Sequence, residues 1–285
     1  MLILSKILFM NLSLGFSTCP NDTFIFDAMV HKKVDTEGLN FEVVLADVEE
    51  LNKSAFTGNI DITKISYHAF AHIADKYKLL NSGSALGYQN GPLLISKRKV
   101  YIDEVPDLTV AIPGKFTTAN LLFSIVFPSV KEKREYLFSE IEEAILSEEV
   151  DAGVIIHENR FTFEKRGLKK VIDLGEDWEQ KTKSPIPLGG IIIHRKFDKN
   201  IQQKVNRILQ RSVEFAFENP NESYNYIKNY AQELDDDVIK KHINLYVNNF
   251  TVNLGLSGKN AVNMLYDKAI SEGLLKFIPD DIFVE

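Results

Sequence analysis

The feature that most constrains this chain is an alternation of strand and helix signals that starts over near its middle. The first half opens on an apolar run, residues 12–16, that reads as a strand. Asn21-Asp22-Thr23 then offers helix N-cap chemistry ahead of residues 24–30. Residues 39–45 alternate and are rich in β-branched and aromatic side chains, as a strand requires. A helix over 47–56 ended by Gly58, a strand over 60–65, a helix over 66–77 and a strand over 91–96 follow. The pattern then restarts with a strand over 108–112, a loop over 114–120 and a helix over 121–127 that must stop before Pro128. A helix over 139–147 and strands over 150–156 and 188–193 complete it. From residue 201 onward the chain reads as mostly helical, with breaks at 219–221 and 253–258.

The restart has the form of an internal repeat. Leu12-Ser-Leu-Gly-Phe16 matches Leu108-Thr-Val-Ala-Ile112. The segment from Val48-Glu-Glu to Asn59-Ile-Asp61 matches Ile141-Glu-Glu to Glu149-Val-Asp151. Two α/β lobes follow, one from residues 10–104 and 198–285 and the other from 105–197. In open parallel α/β sheets ligands sit beyond the carboxyl ends of the strands. Four segments fall there, two from each half: 18–23, 64–66, 114–120 and 157–160. A ligand cleft between facing lobes is the economical arrangement.

Composition narrows the partners. The 285 residues carry 33 basic and 40 acidic side chains, a net charge of −7, with no basic stripe, which argues against nucleic acid. Cys19 is the only cysteine, so no intramolecular disulfide can form and a reducing, cytoplasmic setting fits. No stretch approaches 18 uncharged apolar residues, so no membrane span is expected. The apolar start lacks a small-residue cleavage site. Met10 is the expected natural start, with residues 1–9 an upstream extension.

Several residues carry candidate chemistry. His157 follows a strand at its carboxyl end, where a neutral imidazole can take a proton near neutral pH. The structural alternative is a satisfied histidine, and Glu158 and Arg160 are close enough in sequence to orient it. Thr117-Thr118-Ala119 falls where a helix begins. Free N–H groups favour an anion there and threonine hydroxyls add donors, with plain N-capping as the alternative. Lys64-Ile65-Ser66 ends the matching strand of the first half and suits a ligand oxygen or the cap of the next helix. Cys19 precedes a helix. Without a placed base it reads as a turn residue lining the cleft, beside Asn21, rather than a nucleophile. His68 and His72 have helical spacing but no third ligand and no His-Glu-x-x-His motif, so no metal site is assigned. His31, His194 and His242 give no functional signal. Walker and Gly-x-Gly-x-x-Gly fingerprints are absent.

Together these segments resemble a known family. Phe16-Ser-Thr-Cys-Pro-Asn-Asp-Thr-Phe-Ile-Phe26, Asp47-Val-Glu-Glu-Leu-Asn52, Thr63-Lys-Ile-Ser-Tyr67, Ser82-Gly-Ser-Ala-Leu-Gly87, Thr117-Thr-Ala119, Ile155-Ile-His-Glu-Asn-Arg160 and Pro187-Leu-Gly-Gly190 are similar to the 1,4-dihydroxy-6-naphthoate synthases of the futalosine route to menaquinone. The resemblance runs from Leu12 onward. It implies a two-lobe fold like type II periplasmic binding proteins, used as a cytoplasmic enzyme with neither metal nor redox cofactor. It implies cleavage of cyclic dehypoxanthine futalosine to the naphthoate and a dihydroxyacetone-type fragment. The family's proposed base falls on His157, and its ligand-contacting segments fall on Lys64, Ile65 and Ser66 and on Thr118 and Ala119. The substrate is a carboxylate, which an anion site at a helix start would serve. Thr18, where the family pattern has proline or serine, is one departure; the extension at 1–9 is the other. Two further readings stay open: a chorismate dehydratase on the same scaffold, and a small-anion-binding protein without catalysis. Nothing in the sequence sets an oligomeric state.

Overall fold

The computed structural model describes residues 10–231 and 234–285, so the expected extension at 1–9 lies outside the described residues. The strands are β1 (Met10–Phe16), β2 (Leu39–Leu45), β3 (Ile62–Ser66), β4 (Tyr77–Leu79), β5 (Ala85–Gly87), β6 (Leu93–Ser96), β7 (Thr109–Ile112), β8 (Glu132–Glu135), β9 (Ala152–Ile155), β10 (Lys169–Asp173) and β11 (Ile186–His194). The helices are α1 (Pro20–Val30), α2 (Val48–Thr57), α3 (Tyr67–Ala71), α4 (Thr118–Val126), α5 (Ile141–Leu146), α6 (Leu174–Thr182), α7 (Lys199–Glu218), α8 (Tyr224–Tyr230), α9 (Asp236–Tyr246), α10 (Asn249–Val252) and α11 (Gly255–Ser271).

They form two sheets. The first has the order β2-β1-β3-β11-β4, with β5 also on β11; the second has the order β10-β6-β9-β7-β8. In each, a central strand has a parallel neighbour on both sides (β2-β1-β3 and β8-β7-β9), and an antiparallel strand from elsewhere in the chain, β11 or β6, continues the row. The repeat is therefore real in topology, and one detail repeats atom for atom. Ser13 N donates to Asp61 Oδ2 at 2.8 Å in the first sheet, and Thr109 N donates to Asp151 Oδ2 at 2.8 Å in the second. A carboxylate just before β3 and just before β9 thus satisfies a backbone donor of the neighbouring parallel strand, β1 or β7.

The sheets do not divide where the lobes were expected to. Strand β6 pairs with β9 in the second sheet and β11 pairs with β3 in the first, so the chain crosses between β5 and β6 and returns between α6 and β11. The sequence boundaries at 104/105 and 197/198 followed the repeat and missed this strand exchange. A helix was also expected over 66–77. Instead α3 covers five residues, and Tyr77 and Leu79 are buried in β4 against β11. Sheet pairing of two large buried side chains outweighs local helix propensity there.

Helices cover both faces, and alternation along the strands explains how. Leu94, Val110, Ile112 and Val154 face Phe123 of α4, while Leu93, Ile95, Ala111 and Ile155 face Ile141 and Ile145 of α5. On the first sheet α7 buries Val205, Ile208, Leu209, Val213 and Ala216, a helical stripe, against Leu12, Leu14 and Phe16. Each of the larger of these side chains, valine to phenylalanine, contributes about 1.5–3 kcal/mol by leaving water. No helix among the described residues is long and apolar enough to cross a membrane.

Candidate active site

The ends of β1, β3 and β9 and the start of α4 open on one cavity of about 680 Å³ of empty space, part of it facing solvent. Asn21, Lys64, Ile65 and Ser66 line it from the first sheet; Thr117, Thr118, Ala119 and His157 line it from the second. Its size suits a small organic ligand.

The wall under β1 and β3 is ionic. Asp22, in the first turn of α1, is fully buried and accepts from Ser17 N at 3.2 Å, Ser17 Oγ at 2.7 Å and Asn21 Nδ2 at 2.8 Å. Lys64 Nζ lies 3.1 Å from Asp22 Oδ1, outside hydrogen-bond geometry, and hydrogen-bonds no other described group. A buried ammonium in that position is neutralised by Asp22 and keeps its N–H groups for the cavity. Asn21-Asp22-Thr23, expected to cap α1, lies within its first turn. Cys19 occupies the N-cap, and Asp22 serves the ion pair. Ser66 is held from behind by Asn52, whose Oδ1 accepts from Ser66 N at 2.9 Å and whose Nδ2 donates to Ser66 Oγ at 3.3 Å.

His157 stands on a turn that costs backbone energy. Strand β9 ends at Ile155, Ile156 is extended, and His157 has φ 58°, a left-handed conformation. Histidine tolerates that region better than bulky residues do, at about 1–3 kcal/mol, and such strain gathers at functional sites. Its Nδ1 lies 3.6 Å from Cys19 Sγ, its ring lies against Phe138 at 4.9 Å, and it stacks on His242 at 6.0 Å with 5° between planes. His242 gave no signal in the sequence. It is fully buried, and its Nε2 hydrogen-bonds Asn21 Oδ1 at 2.8 Å. Burial first, then the charges of His157 and Lys64, push its pKa well below the usual histidine value, so it is neutral and donates from Nε2. His242, Asn21 and Asp22 thus form one hydrogen-bonded row that reaches the cavity wall at Asn21 and Asp22 and ends at the Lys64 ion pair.

The anion site at α4 differs from expectation in its donors. Thr117 caps the helix: its Oγ1 accepts from Asn120 N at 3.2 Å and donates to Gly114 O at 2.9 Å. Thr118 Oγ1 donates to Leu188 O at 2.6 Å and accepts from His68 N at 3.3 Å. Both hydroxyls are spent on the protein. What α4 offers the cavity is the N–H groups of its first turn, with the positive end of the helix dipole. Across the cleft, Glu49 of α2 accepts from Phe116 N at 3.3 Å and from Asn52 Nδ2 at 2.9 Å, and burial raises its pKa. Gly114, at φ 135°, passes so close that an added Cβ would lie 2.6 Å from the Glu49 carboxyl carbon.

Two expected cleft residues stand behind the wall. Cys19 is buried against His157, and Arg160 donates to Gly91 O at 2.5 Å and pairs with Asp173 at 3.3 Å. The His68 and His72 rings lie 5.3 Å apart, and no group of three or more potential metal ligands occurs among the described residues. His68 donates from Nδ1 to Thr117 O at 3.2 Å, and its pKa is lowered to about 4, chiefly by burial and then by His72.

Two lobes that exchange strands, with a ligand-sized cleft between them, define the class: an α/β protein of the periplasmic-binding-protein-like kind. The alkanesulfonate-binding protein of Xanthomonas axonopodis pv. citri shares this fold at a TM-score of 0.70 and 13% identity, over 96% of each chain. The chain belongs to the menaquinone biosynthesis family, whose model matches residues 12–271. It is 41% identical to a 1,4-dihydroxy-6-naphthoate synthase of Thermus thermophilus, over 96% of this chain and 99% of that one. A crystal structure of an Archaeoglobus fulgidus protein aligns at a TM-score of 0.88 and 37% identity, covering 93% of this chain and 98% of that one.

Proposed function

We propose that this chain cleaves cyclic dehypoxanthine futalosine to 1,4-dihydroxy-6-naphthoate and a dihydroxyacetone-type fragment, as a cytoplasmic lyase of menaquinone biosynthesis. The observation that carries the reading is the pairing of a strained histidine with an unspent helix start on one cavity. His157 is the general base that takes a proton from carbon. The substrate carboxylate is held by the N–H groups of Thr118 and Ala119, with Lys64, Ile65 and Ser66 on the opposite wall. As a base through Nε2, His157 keeps its proton on Nδ1, where the Cys19 sulfur accepts it. The buried row behind it holds a neutral His242 against its face, which disfavours a second positive charge least when His157 protonates transiently.

The test is direct. Purified protein incubated with cyclic dehypoxanthine futalosine should release the naphthoate, followed by its absorbance. No turnover with that substrate but water loss from chorismate would replace this reading with a chorismate dehydratase. Binding of small carboxylates with neither reaction would leave an anion-binding protein.

A further inference from the structure

Asn90 lies in the loop between β5 and β6 and was passed over in the sequence. It is 1% exposed, it lines the cavity, and neither its Nδ2 nor its Oδ1 has a hydrogen-bond partner among the described residues. A buried amide with both ends unpaired is costly, and on a cavity wall a bound ligand can supply the missing partners. A Cβ added to Gly87 would lie 2.9 Å from Asn248 Nδ2 and 3.1 Å from Asn90 Nδ2, so glycine there leaves space for both side chains.

Its position points at the reacting end. Leu93 pairs with Ile155 at the end of the antiparallel β6–β9 ladder, so the Asn90 loop and the His157 turn leave the sheet side by side. Arg160, on the His157 turn, donates to Gly91 O at 2.5 Å and ties the two loops together.

We propose that Asn90 is a substrate-recognition residue that binds the hydroxyl-bearing part of the substrate next to His157, while the carboxylate stays at the start of α4. The inference rests on the function proposed above. A carboxylate offers only acceptors and would leave Oδ1 unpaired. A hydroxyl both donates and accepts, so hydroxyls, or a hydroxyl beside a carbonyl, satisfy both ends of the amide. Cyclic dehypoxanthine futalosine carries such groups in the fragment that leaves. A simple aromatic carboxylate does not.

The experiment compares wild type, Asn90→Leu and Asn90→Ala in three measurements: kcat/KM for cyclic dehypoxanthine futalosine, affinity for 2-naphthoate, and thermal midpoint. Asn90→Leu should lose roughly 10- to 100-fold in kcat/KM. It should bind 2-naphthoate within about threefold of wild type, and its midpoint should not fall, because no bond within the protein is lost. Should the leucine variant fail to fold, the alanine variant carries the same comparison. A kcat/KM within about threefold of wild type, or a parallel loss of 2-naphthoate binding, overturns the assignment. If wild type itself does not turn over the substrate, the proposed function falls and this inference with it. Wild-type turnover with an unaffected Asn90→Leu variant removes Asn90 alone.

Discussion

Replacing Asp22 with asparagine isolates the ionic wall of the cavity. Asp22 and Lys64 are 2% and 7% exposed, so water screens them little. At 3.1 Å, and with an effective dielectric of about 20, their attraction is about 5 kcal/mol, most of it offsetting the cost of desolvating both charges. The net worth of the pair is therefore small, but the cost of breaking it is not. Asp22→Asn keeps the shape, leaves the ammonium uncompensated, and sets an amide donor against either Asn21 Nδ2 or the Ser17 donors. A loss of about 3–5 kcal/mol is expected from urea unfolding at pH 7. The double variant Asp22→Asn, Lys64→Met removes the orphaned charge and should recover at least half of that loss. A single variant that loses under about 1 kcal/mol, or a double variant no more stable than the single, would refute the ion-pair reasoning.

Two further outcomes follow from the α4 side of the cleft. The His68 pKa is lowered to about 4, so the folded protein keeps the imidazole neutral while the unfolded chain takes up a proton below about pH 6.5. Stability should therefore fall as pH drops from about 6.5 to about 4, by on the order of 3 kcal/mol from this group. His68→Gln should flatten that part of the curve, and an identical pH slope in the variant would remove His68 as the cause. Thr118→Val deletes a hydroxyl that serves Leu188 O and His68 N, so it should cost about 1–3 kcal/mol of stability yet change carboxylate affinity by less than about threefold. An affinity loss above about tenfold at unchanged stability would show instead that the hydroxyl holds the ligand.

Much of this was legible in the sequence, for reasons that can be named. The repeat survived because β-strand alternation and the Asp61 and Asp151 positions are local signals, and both aspartates do the same backbone work. Strands β6 and β11 were recognised as strands, but the exchange that puts β6 in the second sheet and β11 in the first was not readable, since pairing between distant segments leaves no local trace. The short α3 was overrun for the same reason: burial of Tyr77 and Leu79 is a tertiary fact. Of the residues expected beyond the strand ends, Asn21, Lys64, Ile65, Ser66, Thr117, Thr118, Ala119 and His157 line the cavity, as strand polarity favours, whereas Cys19 and Arg160 do not. Which atoms remain open was not readable. The Thr117 and Thr118 hydroxyls looked available and are spent, whereas Asn90, which carries no sequence signal, is unpaired. His242 lies 85 residues beyond the His157 it stacks on, and only the packing of α9 against the His157 turn brings them together.

The base assignment is tested most directly by His157→Asn, which keeps polarity and approximate size while removing basicity, and which tolerates the φ of 58° at that position. Steady-state turnover of cyclic dehypoxanthine futalosine and equilibrium binding of 2-naphthoate should be measured on the same preparation. With His157 as the base, kcat falls by roughly 10²–10⁴ while 2-naphthoate affinity stays within about threefold. A kcat within about tenfold of wild type would contradict it.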